Sequence, residues 1–283
     1  MNEHFAFVNG KIYKQQDAGI NISDLALQRG YGIFDFIRTY DNRPVFIDDH
    51  LERFFYSAEK MNLKINYSYE QLKAFIFEII EKNHIPESGI KVILTGGYAE
   101  DGYTVADPNL IITQIPIRLI EKNFEQGIKL ITKEYRRQFA RVKTIDYLMG
   151  IFMQPEIKEK GVDDVLYFFN NEISECPRAN FFIVTEKNKI ITPAQHVLRG
   201  ITRKKILEFS EFDCIEATIN TEDIALAKEA FITSSTKNVL PVLEIDGKRI
   251  RDGKPGEITR KIAERLKKSK EDYLSTYSVP ENE

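Results

Sequence analysis

Downstream of residue 127 the chain is a succession of short apolar runs, rich in β-branched and aromatic residues and separated by turn formers. They fall at 128–132, 165–169, 180–185, 190–192, 213–216, 230–233 and 239–245. Runs of about four to eight such residues are too short for buried helices and predict strands, which are stable only as parts of a sheet. Apolar residues at helical spacing lie between them, near 148–160, 202–209, 222–227 and 257–268. Strands and helices interleaved in irregular order predict an α+β fold with curved, mostly antiparallel sheets.

The first 118 residues carry a second pattern. Phe5-Ala6-Phe7-Val8, Asn9-Gly10 and Lys11-Ile12-Tyr13 read as strand, turn and strand, because Asn-Gly accepts the positive φ angles of a tight hairpin. Another strand is expected over 34–40. Asp48 or Asp49 is expected to cap a helix with Leu51, Phe54, Phe55, Ala58 and Met61 on its apolar face, and a second helix carries Leu72, Phe75, Ile76, Ile79 and Ile80. Strands at 91–95 and 109–115 flank the loop 96–108. The charged stretch 116–126 is the expected connection. It divides a small N-terminal α/β domain (1–118) from a larger β-rich domain with helices (119–283), whose polar tail is expected to fray from about residue 270.

Bulk properties narrow the function. A net charge of −3 gives no general attraction to nucleic acid or to a membrane surface. No apolar stretch approaches the ~20 residues of a membrane helix, and the start of the chain lacks the basic and apolar regions of a signal peptide. Cys176 and Cys214 make no disulfide framework and fit a reducing cytoplasm. Four scattered histidines and the absence of a CxxC pair give no metal-site pattern. Phosphate-loop, metalloprotease, serine-hydrolase and dinucleotide motifs are all absent.

Four segments hold chemistry-bearing residues in unusual places. Arg141-Val142-Lys143-Thr144-Ile145-Asp146-Tyr147 sets a lysine among apolar and hydroxyl neighbours before a helix. Ser174-Glu175-Cys176-Pro177-Arg178-Ala179-Asn180 sets an acid and a base in a kinked link between apolar strands. Leu198-Arg199-Gly200-Ile201-Thr202-Arg203 leads into a helix, where free N–H groups suit phosphate. Thr233-Ser234-Ser235-Thr236-Lys237-Asn238 clusters hydroxyls at a strand end, a second anion nest. Taken singly, each also reads as ordinary structure: a solvated lysine, a polar hairpin, a plain cap, a Ser/Thr turn.

Their order and spacing, with Arg53 on the first helix, resemble the class IV aminotransferases. These are the fold-type IV pyridoxal-phosphate (PLP) enzymes, which include branched-chain and D-amino-acid aminotransferases and aminodeoxychorismate lyases. The resemblance runs from about Phe7 to Lys261. It is most specific at Arg29-Gly30-Tyr31-Gly32-Ile33-Phe34-Asp35, across 175–182, at Gly200-Ile201-Thr202-Arg203 and across 253–259. It implies the two-domain D-amino-acid-aminotransferase-like fold and a homodimer whose active site lies at the interface.

By this resemblance Lys143 holds the cofactor covalently and moves the substrate's α-proton. Glu175 pairs with the pyridine nitrogen, Tyr147 lies near the phenolic oxygen, and Leu198 packs on the ring. Asp146 stands where the family has asparagine beside that tyrosine. The phosphate falls to Arg53, to the Ile201 and Thr202 N–H groups with the Thr202 hydroxyl, and to Ser235 or Thr236. Tyr31 and four cations, Arg29, Lys91, Arg178 and Lys237, fall where the family lines its substrate pocket. These cations suit a dicarboxylic partner such as 2-oxoglutarate.

The implied reaction is a ping-pong amino transfer between an amino acid and a 2-oxo acid. Lys237, in place of the small residues that follow the Ser/Thr nest in branched-chain enzymes, tilts the reading toward D-amino acids. Branched-chain L-amino acids are the alternative, and release of pyruvate from aminodeoxychorismate is the third reading.

Overall fold

The computed structural model describes residues 4–117 and 124–276, which group into two compact units. The expected connection at 116–126 falls largely on 118–123, outside the described residues.

The first unit comprises residues 4–117, the short segment Val142–Asp146 and the end of the last helix from Tyr273. Its elements are β1 (Phe5–Val8), β2 (Lys11–Lys14), α1 (Leu25–Arg29), β3 (Gly32–Tyr40), β4 (Arg43–Pro44), α2 (Ile47–Lys60), α3 (Tyr69–Asn83), β5 (Ser88–Thr95) and β6 (Leu110–Pro116). The strands form one antiparallel sheet in the order β2-β1-β6-β5-β3-β4. The β1–β2 turn is the expected Asn-Gly hairpin, with φ of 48° at Asn9 and 85° at Gly10. Along β3, Ile33 and Ile37 point into a core shared with Leu51 and Phe54 of α2 and Leu72, Ile76, Ile79 and Ile80 of α3. Asp35 lies between those two residues in the same inward register, so a carboxylate enters an apolar layer.

Two local expectations change. Neither Asp48 nor Asp49 caps α2: the cap position is Phe46, in the left-handed region with φ 54°, and no side chain caps the helix. Asp48 sits in the first turn instead and accepts hydrogen bonds from the Tyr69 hydroxyl (2.7 Å) and Lys73 Nζ (2.6 Å). The last helix runs to Thr276, past the residue near which fraying is expected. Phe46 packs edge-on against Tyr273 at 4.9 Å, and Arg43 Nη1 donates to the Leu274 carbonyl at 2.9 Å.

The second unit comprises residues 124–141 and Tyr147–Asp272. It runs β7 (Ile128–Glu134), α4 (Leu148–Phe152), α5 (Gln154–Glu159), β8 (Asp164–Phe169), β9 (Glu172–Ile173), β10 (Glu175–Cys176), β11 (Ala179–Val184), β12 (Ile190–Pro193), α6 (Ile201–Leu207), β13 (Cys214–Ala217), α7 (Thr221–Ala225), β14 (Glu229–Ser234), β15 (Asn238–Ile245), β16 (Lys248–Arg249) and α8 (Glu257–Thr276). The sheet order is β13-β12-β11-β14-β15-β7-β8-β9, with β10 beside β11 and β16 beside β15. Most pairs are antiparallel, but β12–β13, β15–β7 and β7–β8 are parallel.

Both faces of this sheet are covered, which explains why its strands read as continuous apolar runs. Phe181 and Ile183 enter one core layer; Phe182 and Val184 enter the layer shared with Ile206 of α6 and Ile262 and Leu266 of α8. The single helix expected over 148–160 is two helices, because Pro155 lacks an N–H and the helix restarts around it. The 253–259 run has a structural purpose as well. Glu229 on β14 accepts from the Ile258 and Thr259 N–H groups and the Thr259 hydroxyl, capping α8.

Candidate active site

In the first unit the reactive candidate is Lys143. Its backbone lies beside β3 as a short extra strand. Phe34 N donates to Lys143 O (2.9 Å), Ile145 N donates to Gly32 O (3.1 Å), and Ile33 bridges Thr144. Gly32 is required by that approach: a Cβ would meet the Leu94 carbonyl oxygen at 2.8 Å and the Ile145 side chain at 3.2 Å. Lys143 N donates to Ser57 Oγ on α2. Its side chain is half-buried, with Nζ 4.6 Å from the centre of the Phe34 ring. Lys91 Nζ lies 5.1 Å from the same centre, and burial lowers its pKa. Two amines therefore share one aromatic ring.

Beneath them Asp35, His50 and Arg53 form a buried cluster. Arg53 holds Asp35 with two hydrogen bonds, Nε to Oδ2 and Nη2 to Oδ1, both 2.8 Å, and His50 Nδ1 meets Oδ1 at 2.6 Å. Burial by itself would raise the Asp35 pKa, but Arg53 and then His50 outweigh it and hold the carboxyl well below its ordinary range. Burial holds His50 below its ordinary range against the pull of Asp35, and Arg53 and then Lys143 add to the depression. The family resemblance assigns Arg53 to a phosphate and gives Asp35 no role. A charged residue between Ile33 and Ile37, on the inward face of a strand, was the available signal.

In the second unit the centre is Glu175, 3 % exposed. Arg137 Nη1 donates to its Oε1 at 2.6 Å, while Leu198 N (2.9 Å) and Asn180 Nδ2 (3.1 Å) donate to its Oε2. Burial opposes the charge on Arg137, yet Glu175 more than offsets this and keeps the guanidinium pKa above its ordinary value. Tyr147, at the start of α4, is close enough to Arg137 to add to that effect. Asn180 Nδ2 also donates to the Leu198 carbonyl. Its Oδ1 lies where a Cβ on Gly200 would fall, 2.1 Å away, so glycine is required there. Gly200 begins α6, no side chain caps that helix, and Thr202 is buried in its first turn. The sequence missed Arg137, which lies in irregular backbone where no periodicity marks it.

Other expected site residues are placed differently. Tyr31 packs against the first unit's core and its hydroxyl donates to the Met61 carbonyl at 2.6 Å, so its proton is already engaged within the fold. Lys237 is no open cation either: its ammonium lies 2.7 Å from the buried carboxylate of Asp164. Arg29 is exposed, donating to its neighbour's carbonyl, Gln28 O. Arg178 is exposed in the turn between β10 and β11. Ser235 and Thr236 form the tip between β14 and β15.

A family model described as amino-transferase class IV matches residues 32–245. A Methanocaldococcus jannaschii protein, assigned provisionally as a branched-chain-amino-acid aminotransferase, is 29% identical over 92% of this chain and 94% of its own. The D-alanine aminotransferase of Bacillus licheniformis is 26% identical over 92% of this chain and 95% of its own. The crystal structure of the Escherichia coli branched-chain amino acid aminotransferase superposes with a TM-score of 0.88. It is 24% identical and covers 95% of both chains, a likeness that speaks to the fold.

Proposed function

The chain belongs to the class IV aminotransferases, PLP-dependent enzymes, and from that premise we propose that it transfers an amino group from a D-amino acid to 2-oxoglutarate by a ping-pong mechanism. The observation that carries the acceptor is the pair of amines on Phe34. Lys91, half-buried beside the candidate reactive lysine, offers a positive charge to a second carboxylate.

The residues present fit PLP. A reactive amine, a buried carboxylate stabilised by three donors, and backbone N–H groups with hydroxyls at two turns are the donor set that it requires. When bound, it supplies an electron sink for the charge left at the substrate's Cα. Lys143, whose amine lies 4.6 Å from the centre of the Phe34 ring, would hold it covalently and move the proton at Cα. Glu175, which accepts from Arg137, Asn180 and the Leu198 N–H, would pair with the ring nitrogen and favour its protonated form. By the family resemblance Leu198 would pack on the ring, and Tyr147 would lie near the phenolic oxygen. By the same resemblance Arg53, Ile201, Thr202 and Ser235 or Thr236 would receive the phosphate. Arg29, Lys91 and Arg178 remain for substrate carboxylates.

Branched-chain L-amino acids are the second donor reading, favoured by the identity to the M. jannaschii protein. The placement of Lys237 against Asp164 takes it out of the cations offered to a dicarboxylic partner, and the D-amino-acid reading rests on the loss of the small residues after the Ser/Thr nest. We further propose a homodimer and a cytoplasmic location, the latter consistent with two free cysteines.

The test is the half-reaction. Purified holoenzyme, mixed in parallel with D-alanine, D-glutamate, L-leucine and L-glutamate, should lose its visible band to the amino form. Bleaching by the D-amino acids first supports the main reading, and bleaching by L-leucine alone supports the second. Bleaching by none, with pyruvate released from aminodeoxychorismate, would replace both.

A further inference from the structure

The Lys237 ammonium does not point out from the hairpin tip but back into the sheet, to Asp164 at the head of β8. Asp164 is 3 % exposed, and its other oxygen accepts from Val165 N at 3.0 Å. The β14–β15 register closes on Ser234 opposite Asn238, so Ser235, Thr236 and Lys237 alone form the tip. Lys237 N donates to Ser234 Oγ at 3.0 Å. Asn238, with φ 56°, accepts at its side-chain oxygen from Lys270 Nζ of α8. The three-residue tip is thus anchored to β8 on one side and to α8 on the other.

We infer that Asp164 and Lys237 are a positioning pair, whose ion bond fixes the tip so that the N–H groups and hydroxyls of Ser235 and Thr236 are preset for an anion, a phosphate or a carboxylate. This rests on the reading of that tip as an anion site. A buried carboxylate requires a partner, so Asp164 draws the last tip residue to β8 and holds it there. A tip fixed before binding loses less conformational freedom when its ligand arrives. Because the lysine charge is already neutralised, recognition at the tip is left to short hydrogen bonds.

The test compares Asp164→Asn, Lys237→Met and the double variant, with Ser235→Ala/Thr236→Ala as the reference for the tip itself. The readouts are PLP retention by equilibrium dialysis of the holoenzyme, KM and kcat measured separately, and a thermal melt. The expected result is that both single variants weaken PLP retention or raise KM by about tenfold, because a freed tip must be ordered when its ligand binds. kcat should fall less, and the double variant should be no worse than the poorer single variant. If Lys237→Met raises KM for a dicarboxylate while Asp164→Asn does not, Lys237 grips substrate directly and the pair is overturned. Wild-type behaviour of both single variants, when Ser235→Ala/Thr236→Ala weakens binding, overturns it as well. No effect from Ser235→Ala/Thr236→Ala would overturn the anion-site reading and the pair together. Should Asp164→Asn fail to fold, the double variant, which leaves no unpaired charge, decides: wild-type affinity in it overturns the inference.

Discussion

Arg137 Nη1 and Glu175 Oε1 stand 2.6 Å apart, with only 13% and 4% of their side chains exposed. Two opposite charges so far from water depend on each other. Each would be costly to bury alone, and the carboxylate is further tied to β11 by Asn180 and to the Leu198 backbone.

Arg137→Met is therefore expected to lower unfolding free energy by about 3–5 kcal/mol, the usual cost of breaking a buried pair from one side. Arg137→Met/Glu175→Gln should recover part of the loss, because no unpaired charge remains. Urea denaturation of the holoenzyme measures both. A loss below about 1 kcal/mol in the single variant, the range of exposed pairs, would show that the pair is solvated.

Lys143→Ala should remove the visible band of lysine-bound cofactor and abolish the half-reaction, while the melting transition persists. The absorbance spectrum and single-turnover mixing with donor provide the check. Turnover retained by this variant would assign the reactive amine to another lysine.

Acid stability should depend on Asp35. Its native carboxyl is held below the unfolded value of about 3.9. Its stabilisation is complete above that pH and is lost as pH falls further. His50, depressed first by burial, acts in the same direction: the unfolded chain takes up a proton from about pH 6.5 downward, before the native site does. Unfolding free energy should fall as pH drops from about 7 through 4. Asp35→Asn should be less stable at pH 7 and should show a shallower fall below about pH 4, where the unfolded carboxyl takes up its proton. An identical acid slope in the variant would remove Asp35 from the account.

Gly200→Ala should destabilise by about 1–3 kcal/mol, as overpacking does, since the new methyl meets Asn180 Oδ1. Displacing Asn180 loosens a donor to Glu175, so weaker PLP retention should accompany the lower melting temperature. A variant that melts like wild type and keeps its cofactor would show that Asn180 shifts freely.

Much of the fold was legible because local rules act within a few residues. The Asn9-Gly10 hairpin, the apolar faces of α2 and α3, and the strands of the second sheet all follow from turn chemistry and periodicity. The α2 cap and the break at Met153 were less so, since each depends on how neighbouring chain packs or on a proline inside an apolar pattern.

By itself the sequence determined the class of fold, the strand-rich second half, and the order of Lys143, Glu175, Gly200-Ile201-Thr202 and the Ser/Thr tip. Those features are set by residue type and spacing along the chain. Tertiary structure alone decided which charges are open and which are neutralised. Asp35 meets Arg53 from 18 residues away, Arg137 meets Glu175 from 38, and Lys237 meets Asp164 from 73. Ion pairing depends on distance in space, and no local pattern encodes a partner that folding alone brings within 3 Å.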